Sequence, residues 1–134
     1  MSAERILCPV CQVAFFLKEE KAPGKQVVCP ICGAVLVLEQ ENGAWVLKRP
    51  KDMTPEEEIR ARVENFARLR KYHFNEMKEP LIEALLKKYE RYGDFYCPCK
   101  IDNIPENVCP CLETRQGSVE RNGRCHCGLF WREA

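Results

Sequence analysis

The sequence predicts an α+β protein in two unequal parts, a small metal-stapled β unit followed by a mainly helical, loop-rich one. Three observations carry this. Two Cys-x-x-Cys pairs, Cys8 with Cys11 and Cys29 with Cys32, punctuate short runs rich in Val, Phe and Leu within the first fifty residues. Apolar residues at helical spacing, opened by a capping sequence, then occupy residues 54–93. Beyond them, six cysteines fall in three Cys-x-Cys pairs on loops marked by proline and glycine.

The 134 residues suffice for one ordinary domain or two very small ones. Lys and Arg number 21 against 20 Asp and Glu. A balance so close to neutral gives no field to attract nucleic acid or an anionic membrane. Mean hydropathy is −0.39, and no apolar run approaches the roughly 18 residues of a transmembrane helix. Neither nucleic acid nor membrane is therefore expected as a partner. Met1 to Cys8 lacks a basic stretch followed by an apolar one, so no secretory signal is expected and the setting is read as cytoplasmic. Ten cysteines is a heavy load, and every one sits in a Cys-x-x-Cys or Cys-x-Cys pair. In a reducing compartment that pattern serves metal or redox chemistry rather than structural disulfides.

Residues 1–49 form the first expected domain. Seventeen residues separate Cys8-Pro9-Val10-Cys11 from Cys29-Pro30-Ile31-Cys32. This spacing suits a four-thiolate site in which each pair occupies one tight turn and fills two corners of a tetrahedron. Gly33 supplies the positive φ or the close backbone approach that such a turn needs. Ala14 to Leu17, Gln26 to Val28 and Ala34 to Leu38 read as short strands, and Asn42-Gly43 as a tight turn into Ala44 to Leu47. So short a unit buries too little apolar surface to stand alone, which makes a bound metal the expected staple. A closed set of Cys8, Cys11, Cys29 and Cys32 suits one redox-silent zinc. One rubredoxin-type iron is the alternative, because Cys-Pro-Ile-Cys-Gly resembles the second rubredoxin knuckle. The segment also resembles the small zinc ribbon of the amino-group carrier proteins of lysine biosynthesis, without their acidic tail. With zinc the unit is a structural or docking module; with iron it is a one-electron relay. Arg49-Pro50-Lys51-Asp52-Met53 continues neither pattern, and residues 50–53 are read as a linker.

Thr54-Pro55-Glu56-Glu57 opens the second expected domain, residues 54–134. It joins an N-cap threonine, a proline at the first helical position and a glutamate at N3, which makes a capping box. Ile59, Val63, Phe66 and Ala67 carry the helix to about Arg70. Tyr72, Phe74 and Asn75 break the spacing and predict a turn or a short extended stretch. Glu79-Pro80 opens a second helix, with Leu81, Ile82, Leu85, Leu86 and Tyr89 as its apolar stripe and Gly93 as its stop. The stripes are read as core that shields the cysteine site from water. His73 has no partner at ligand spacing and is read as structural.

The last stretch reads Cys97-Pro98-Cys99, nine residues, Cys109-Pro110-Cys111, thirteen residues, Cys125-His126-Cys127. Pro98 and Pro110 fix φ and stiffen their loops. Extended geometry at each pair is expected to turn its two sulfurs to opposite sides, one towards iron and one towards a second site. Asn122-Gly123 and Gly128 predict tight turns. A [4Fe–4S] cluster takes four thiolates, so six cysteines leave two over. Two spare thiols beside a one-electron cofactor suggest a redox-active disulfide.

This order of pairs, after a helix ending in Gly93-Asp94-Phe95-Tyr96, resembles the catalytic chain of ferredoxin–thioredoxin reductase over roughly residues 56–131, including Phe66-Ala67 and Leu129-Phe130. Chloroplast-type members have a longer gap between the Cys-Pro-Cys pairs and a shorter one before Cys-His-Cys. They also have a separate variable chain where this protein has an N-terminal metal domain. The resemblance implies a mainly helical, loop-rich [4Fe–4S] domain in which Cys97, Cys109, Cys111 and Cys125 hold the cluster. It further implies that Cys99 and Cys127 form the active-site disulfide, with Cys99 as the exposed attacking thiol and Cys127 held near the cluster. His126 matches the family's histidine and is implied as a proton carrier, since an imidazole titrates near neutrality. An ordinary loop histidine or an iron ligand are the alternatives for it.

The implied partners are a ferredoxin as electron donor and thioredoxin, or a similar dithiol protein, as acceptor. The driving force suffices. A ferredoxin near about −400 mV and a thioredoxin near about −270 mV differ by roughly 130 mV, or about 6 kcal/mol for two electrons. Lys100, Arg115, Arg121 and Arg124 are candidates to steer an acidic ferredoxin, against the plainer reading of a solvated polar loop. The chain is thus read as an iron–sulfur oxidoreductase that reduces disulfides. The competing reading is a non-catalytic metal-binding or protein-docking module, whose six C-terminal cysteines hold zinc or a structural cluster.

Overall fold

The computed structural model describes residues 5–17 and 20–132. These form an α+β structure in which two small antiparallel sheets precede the helices. β1 (Arg5–Leu7) pairs with β2 (Ala14–Phe16), setting Ile6 opposite Phe15. β3 (Gln26–Val28), β4 (Val35–Glu41) and β5 (Ala44–Lys48) form the second sheet in that order. One Cys-x-x-Cys turn joins β1 to β2 and the other joins β3 to β4. Alternation along the strands sends Ile6, Phe15, Val27, Leu36, Leu38 and Leu47 inward, where they pack with the four cysteines. Asn42 and Gly43 both take positive φ, 51° and 81°, the twist that two-residue hairpin turns favour. β1 was not foreseen, because three residues of Arg-Ile-Leu are too few to display an alternation.

α1 (Pro55–Arg70) begins with the expected capping box: Glu57 N–H donates to Thr54 Oγ1 at 3.1 Å, and Thr54 N–H to Glu57 Oε1 at 2.9 Å. Lys71 ends the helix in the left-handed region. α2 (Lys78–Tyr92) ends on Gly93 at φ 84°. Between them His73 runs extended and exchanges two backbone hydrogen bonds with Trp131, 2.8 and 2.9 Å long. That pairing fastens the chain's last described residues to the turn between the helices. Ile59, Val63 and Phe66 of α1, Ile82 and Leu85 of α2, and Phe95, Val119, Leu129 and Phe130 from the loops share a second core. Its aromatics interlock: Phe66 meets Phe130 edge-on at 5.0 Å and Tyr89 stacks on Phe95 at 4.8 Å. Two short helices, α3 (Leu112–Arg115) and α4 (Ser118–Asn122), occupy a stretch the sequence reading left as loop. Four or five residues span barely one turn, too little for a 3.6-residue period to register.

The two cores meet at Gly33. Its φ is +81°, and a Cβ there would lie 2.6 Å from both Arg62 O and Phe66 N. Both reasons for a glycine at this turn therefore apply at once. Asn65 Nδ2 donates to the Gly33 carbonyl at 3.1 Å, so α1 grips the second knuckle by its backbone.

A buried ionic network reinforces the joint. Arg62 has no exposed surface; its Nη1 donates to the Cys109 carbonyl and its Nη2 to Glu58 Oε2, each at 3.1 Å. Its guanidinium also lies 5.2 Å from the centre of the Phe95 ring. The same Glu58 oxygen accepts Arg49 Nε at 2.8 Å, and Arg49 Nη1 reaches Asp94 at 3.4 Å. The segment after β5, α1, the loop after α2 and the Cys109 loop are all tied through these groups.

Gly33→Ala is expected to lower stability by about 3 kcal/mol, combining a strained φ with a backbone clash. Urea denaturation of the metal-loaded protein measures this, and a loss near zero would mean the knuckle and α1 do not approach so closely in solution. Arg62→Ala leaves the Cys109 carbonyl without its donor and the buried Glu58 carboxylate with Arg49 alone, and is expected to cost about 3 kcal/mol. Arg60→Ala, which removes surface pairs with Glu56 and Glu79, is expected to cost far less.

Candidate functional site

Two knuckles of one design build the N-terminal thiol set. In each, the carbonyl of the first cysteine accepts the N–H four residues on, Gln12 to Cys8 and Gly33 to Cys29, both at 2.9 Å. Gln12 and Gly33 take positive φ, 63° and 81°, which closes each turn. Cys8, Cys11, Cys29 and Cys32 are all buried, and their sulfurs lie within 4.8 Å of one another. Cys8 to Cys32 and Cys11 to Cys29 are each 3.8 Å apart. A tetrahedron of metal–sulfur bonds about 2.3 Å long has edges of about 3.8 Å, so the set fits one tetrahedral metal ion. Ile31 N–H points at Cys29 Sγ from 3.4 Å and favours a thiolate there. The crowding divides the thiols. Hydrogen bonds from neighbouring thiols pull Cys8 and Cys11 down, Cys11 to about 7, while the same contacts push Cys29 and Cys32 up. Sulfurs this close share protons unevenly, and a bound cation relieves that competition.

The second set rests on a short ladder. Cys97 N–H donates to Asn107 O at 2.7 Å and Cys109 N–H to Phe95 O at 2.8 Å, with Tyr96 paired to Val108 between them. This lays the first two cysteine loops side by side. The Cys109-Pro110 peptide is cis. Cys111 stands at the N-cap of α3, where its Sγ lies 3.1 Å from Thr114 Oγ1. Cys125 is fixed from the other side: its N–H donates to Phe130 O at 3.0 Å, and its Sγ accepts Phe130 N–H at 3.3 Å. Cys97, Cys109, Cys111 and Cys125 are all buried, whereas Cys127 is part-buried and Cys99 exposed.

Three sulfurs, those of Cys97, Cys99 and Cys127, lie within 4.8 Å of one another, and Cys125 Sγ is 3.7 Å from Cys127 Sγ. The expectation that the two sulfurs of a pair face apart is therefore wrong for Cys97 with Cys99 and for Cys125 with Cys127. Side chains alternate with a period of two, so positions i and i+2 return to the same face. Turns at Pro98-Cys99 and His126-Cys127 bring the pairs closer still. A hydrogen bond from Cys127 holds the Cys97 thiol at about 7 and the Cys125 thiol at about 6. The Cys127 thiol is pushed up, chiefly by its bond with Cys125. Burial raises Cys99, and raises Cys109 well above its ordinary value with added repulsion from Cys97, Cys125 and Cys111. Among the described residues, the metal-sized group here joins Cys97 with Cys99 and Cys127; Cys109 and Cys111 are not part of it.

His126 is exposed and lines a cleft with Glu113, Arg124 and Cys125. His73 joins no metal-sized group among the described residues. The basic residues considered for steering are largely engaged locally. Lys100 pairs with Glu113 at 3.2 Å, Arg115 Nε donates to Pro110 O, Arg121 Nη1 donates to Gln116 O, and Arg124 lies over the Trp131 ring. Thr114 and Arg62, which touch Cys111 Sγ and the Cys109 carbonyl, escaped the sequence reading. The three-residue step from Cys111 to Thr114 is a helical spacing that shows the first; nothing local marks the second.

Among the described residues, no helix is long and apolar enough to cross a membrane. No curated protein matches the chain. The family model of the ferredoxin thioredoxin reductase catalytic beta chain matches residues 50–134, a span that holds all six C-terminal cysteines together with α1, α2, α3 and α4. That match covers more than half of the sequence, and the chain belongs to the ferredoxin thioredoxin reductase catalytic beta chain family.

Proposed function

We propose that the protein is a disulfide reductase that draws single electrons from a ferredoxin through a [4Fe–4S] cluster and reduces thioredoxin or a similar dithiol protein. Cys97, Cys109, Cys111 and Cys125 hold the cluster, and Cys99 with Cys127 form the exchanging pair. The observation that carries this reading is the grading of burial across neighbouring sulfurs. Exposed Cys99 lies within 4.8 Å of part-buried Cys127, which lies 3.7 Å from buried Cys125.

When bound, the cluster supplies a one-electron store beside Cys127. The chain's own groups do the rest. Ile59, Val63, Phe66 and Phe130 keep water from the buried cysteines. Thr114 Oγ1 and Phe130 N–H place donors against the Cys111 and Cys125 sulfurs. In the reduced pair, the Cys99 thiolate attacks one sulfur of the acceptor disulfide. A Cys99–acceptor bond forms as the acceptor's other sulfur leaves and takes a proton. Cys127 then attacks Cys99 Sγ, closing the Cys99–Cys127 disulfide and releasing the second acceptor thiol. Two electrons and two protons restore the dithiol. His126, exposed and flanked by Cys125 and Cys127, carries protons between solvent and these sulfurs.

The chain is read as a domain of residues 1–49, a linker of 50–53 and a domain of 54–134, which the separate cores support. The closed tetrahedral set of Cys8, Cys11, Cys29 and Cys32 favours one structural zinc over a rubredoxin-type iron. A cytoplasmic setting suits ten unpaired thiols. The competing module reading draws on the closeness of Cys97, Cys99 and Cys127, which also allows three thiolates to share one zinc.

Metal analysis of the anaerobically purified chain, with about four irons expected for the reductase, excludes a zinc module, and turnover of a disulfide separates the reductase from a module with a structural cluster. Cys99→Ser is expected to keep the iron and abolish turnover, while Cys97→Ser loses the iron; the reverse pattern would exchange their roles. Cys32→Ser is expected to release zinc and lower the melting temperature while the visible absorption of the cluster persists. Iron lost from that site in place of zinc would make it a redox centre.

A further inference from the structure

We propose that the acceptor protein docks on a basic ledge formed by the C-terminal half of α2 and the loop around Cys99, and that it presents an acidic surface there beside its disulfide. The proposal rests on the reductase reading and names the face that the acceptor uses.

Ala84, Lys87, Lys88, Arg91 and Tyr92 follow the i, i+3, i+4, i+7, i+8 spacing of one helix face, and with Pro98 they line a groove. Pro98 is the residue before Cys99, the exposed thiol of the second set. The neighbouring loop is pinned. Lys88 Nζ donates to Asn103 Oδ1 at 2.9 Å and to Lys100 O at 3.4 Å, and lies 5.3 Å from the centre of the Tyr92 ring. That anchored loop holds Ile101 94% exposed, and Tyr92 in the groove, under Lys88 Nζ, is 51% exposed. Large apolar groups held in solvent on a fixed backbone are groups a partner can cover at little entropic cost.

The charge of the ledge is as distinctive. Lys87 and Arg91 have no carboxylate partner among the described residues, unlike Arg60, Lys78 and Lys100, which are paired. The groove lining holds three cations and no acid. Glu83 and Glu90 stand on the same helix outside that lining, and Asp102 is exposed on the pinned loop. Unpaired cations around an apolar centre fit an acidic partner with an apolar contact of its own. The acceptor is favoured over the electron donor because the groove adjoins Cys99. Thiol exchange requires the partner's sulfur to touch that thiol, whereas one-electron transfer requires no sulfur contact.

The test uses the full iron-loaded chain driven by reduced methyl viologen, which bypasses the protein donor. An acidic thioredoxin and 2-hydroxyethyl disulfide, small and neutral, serve as the two disulfide probes. The double variant Lys87→Glu/Arg91→Glu is expected to lower kcat/KM for thioredoxin about tenfold relative to the small disulfide. The loss should lie in KM, iron content should be retained, and the wild-type preference for thioredoxin should fade with added salt. Ile101→Ser should shift the same ratio in the same direction without altering the salt dependence. An unchanged ratio in all variants overturns the proposal. So does a defect confined to assays driven by ferredoxin, which would assign the ledge to the donor. A wild-type chain that reduces the small disulfide but not thioredoxin defeats the docking assignment alone; one that reduces neither defeats the reductase reading itself.

Discussion

A fully buried guanidinium sets the terms for the rest of this structure. Placing a charge where no water reaches it costs several kcal/mol unless partners replace the lost hydration. Arg62 finds three, the Glu58 carboxylate, the Cys109 carbonyl and the face of Phe95. Only its Nε lacks a partner. Each partner belongs to a different piece of chain, so the charge is satisfied only when α1, the loop after α2 and the second cysteine loop are together in place. Glu58 extends the requirement by also binding Arg49, the residue that follows β5. A neutral side chain of similar bulk would fill the space without demanding that arrangement.

This dependence explains how loops with so little regular structure hold six sulfurs in register. The ladder between Phe95–Cys97 and Asn107–Cys109 is too short to be stable alone. It persists because its Cys109–Phe95 end is held twice, by Arg62 at the Cys109 carbonyl and by Phe95 packing into the core. The third pair is held by a separate device, the backbone exchange between His73 and Trp131, which carries Leu129 and Phe130 into the same core. Cys125 and Cys127 end 3.7 Å apart and share a hydrogen bond, which lowers the first thiol and raises the second.

Much of this was legible in the residues, and the boundary follows interaction range. Elements written by local rules were readable: the capping box at Thr54, the stop at Gly93, the Asn42-Gly43 turn and the two cysteine knuckles depend on neighbours within a few positions. The grouping of the six C-terminal cysteines was readable from spacing, but their directions were not. Turns at Pro98-Cys99 and His126-Cys127 undid the expectation of divergent sulfurs. Long-range partners left no mark. Nothing in a helical Arg-Ala-Arg run distinguishes Arg62, which meets Cys109 47 positions away, from part-exposed Arg60. The backbone role of His73 with Trp131 depends on a contact no pattern announces.

The placement of the N-terminal unit bears on the chemistry as well as the stability. Val10, Cys11 and Val13 of the first knuckle line one cleft with Pro105, Leu112 and Arg115, so the β unit borders the loop that carries Cys111. Gly33 locks the second knuckle onto α1 at backbone distance from Arg62 and Phe66. The Cys99 loop is steadied instead by Lys88 of α2, through polar contacts at the surface. Different supports thus serve different sulfurs. The loop of Cys109 and Cys111 is buried against rigid neighbours, whereas the Cys97-Pro98-Cys99 loop, tethered at its edge, buries its first sulfur and exposes its second. For the reductase proposed above, these supports would keep the buried sulfurs in place and leave Cys99 open to a visiting protein.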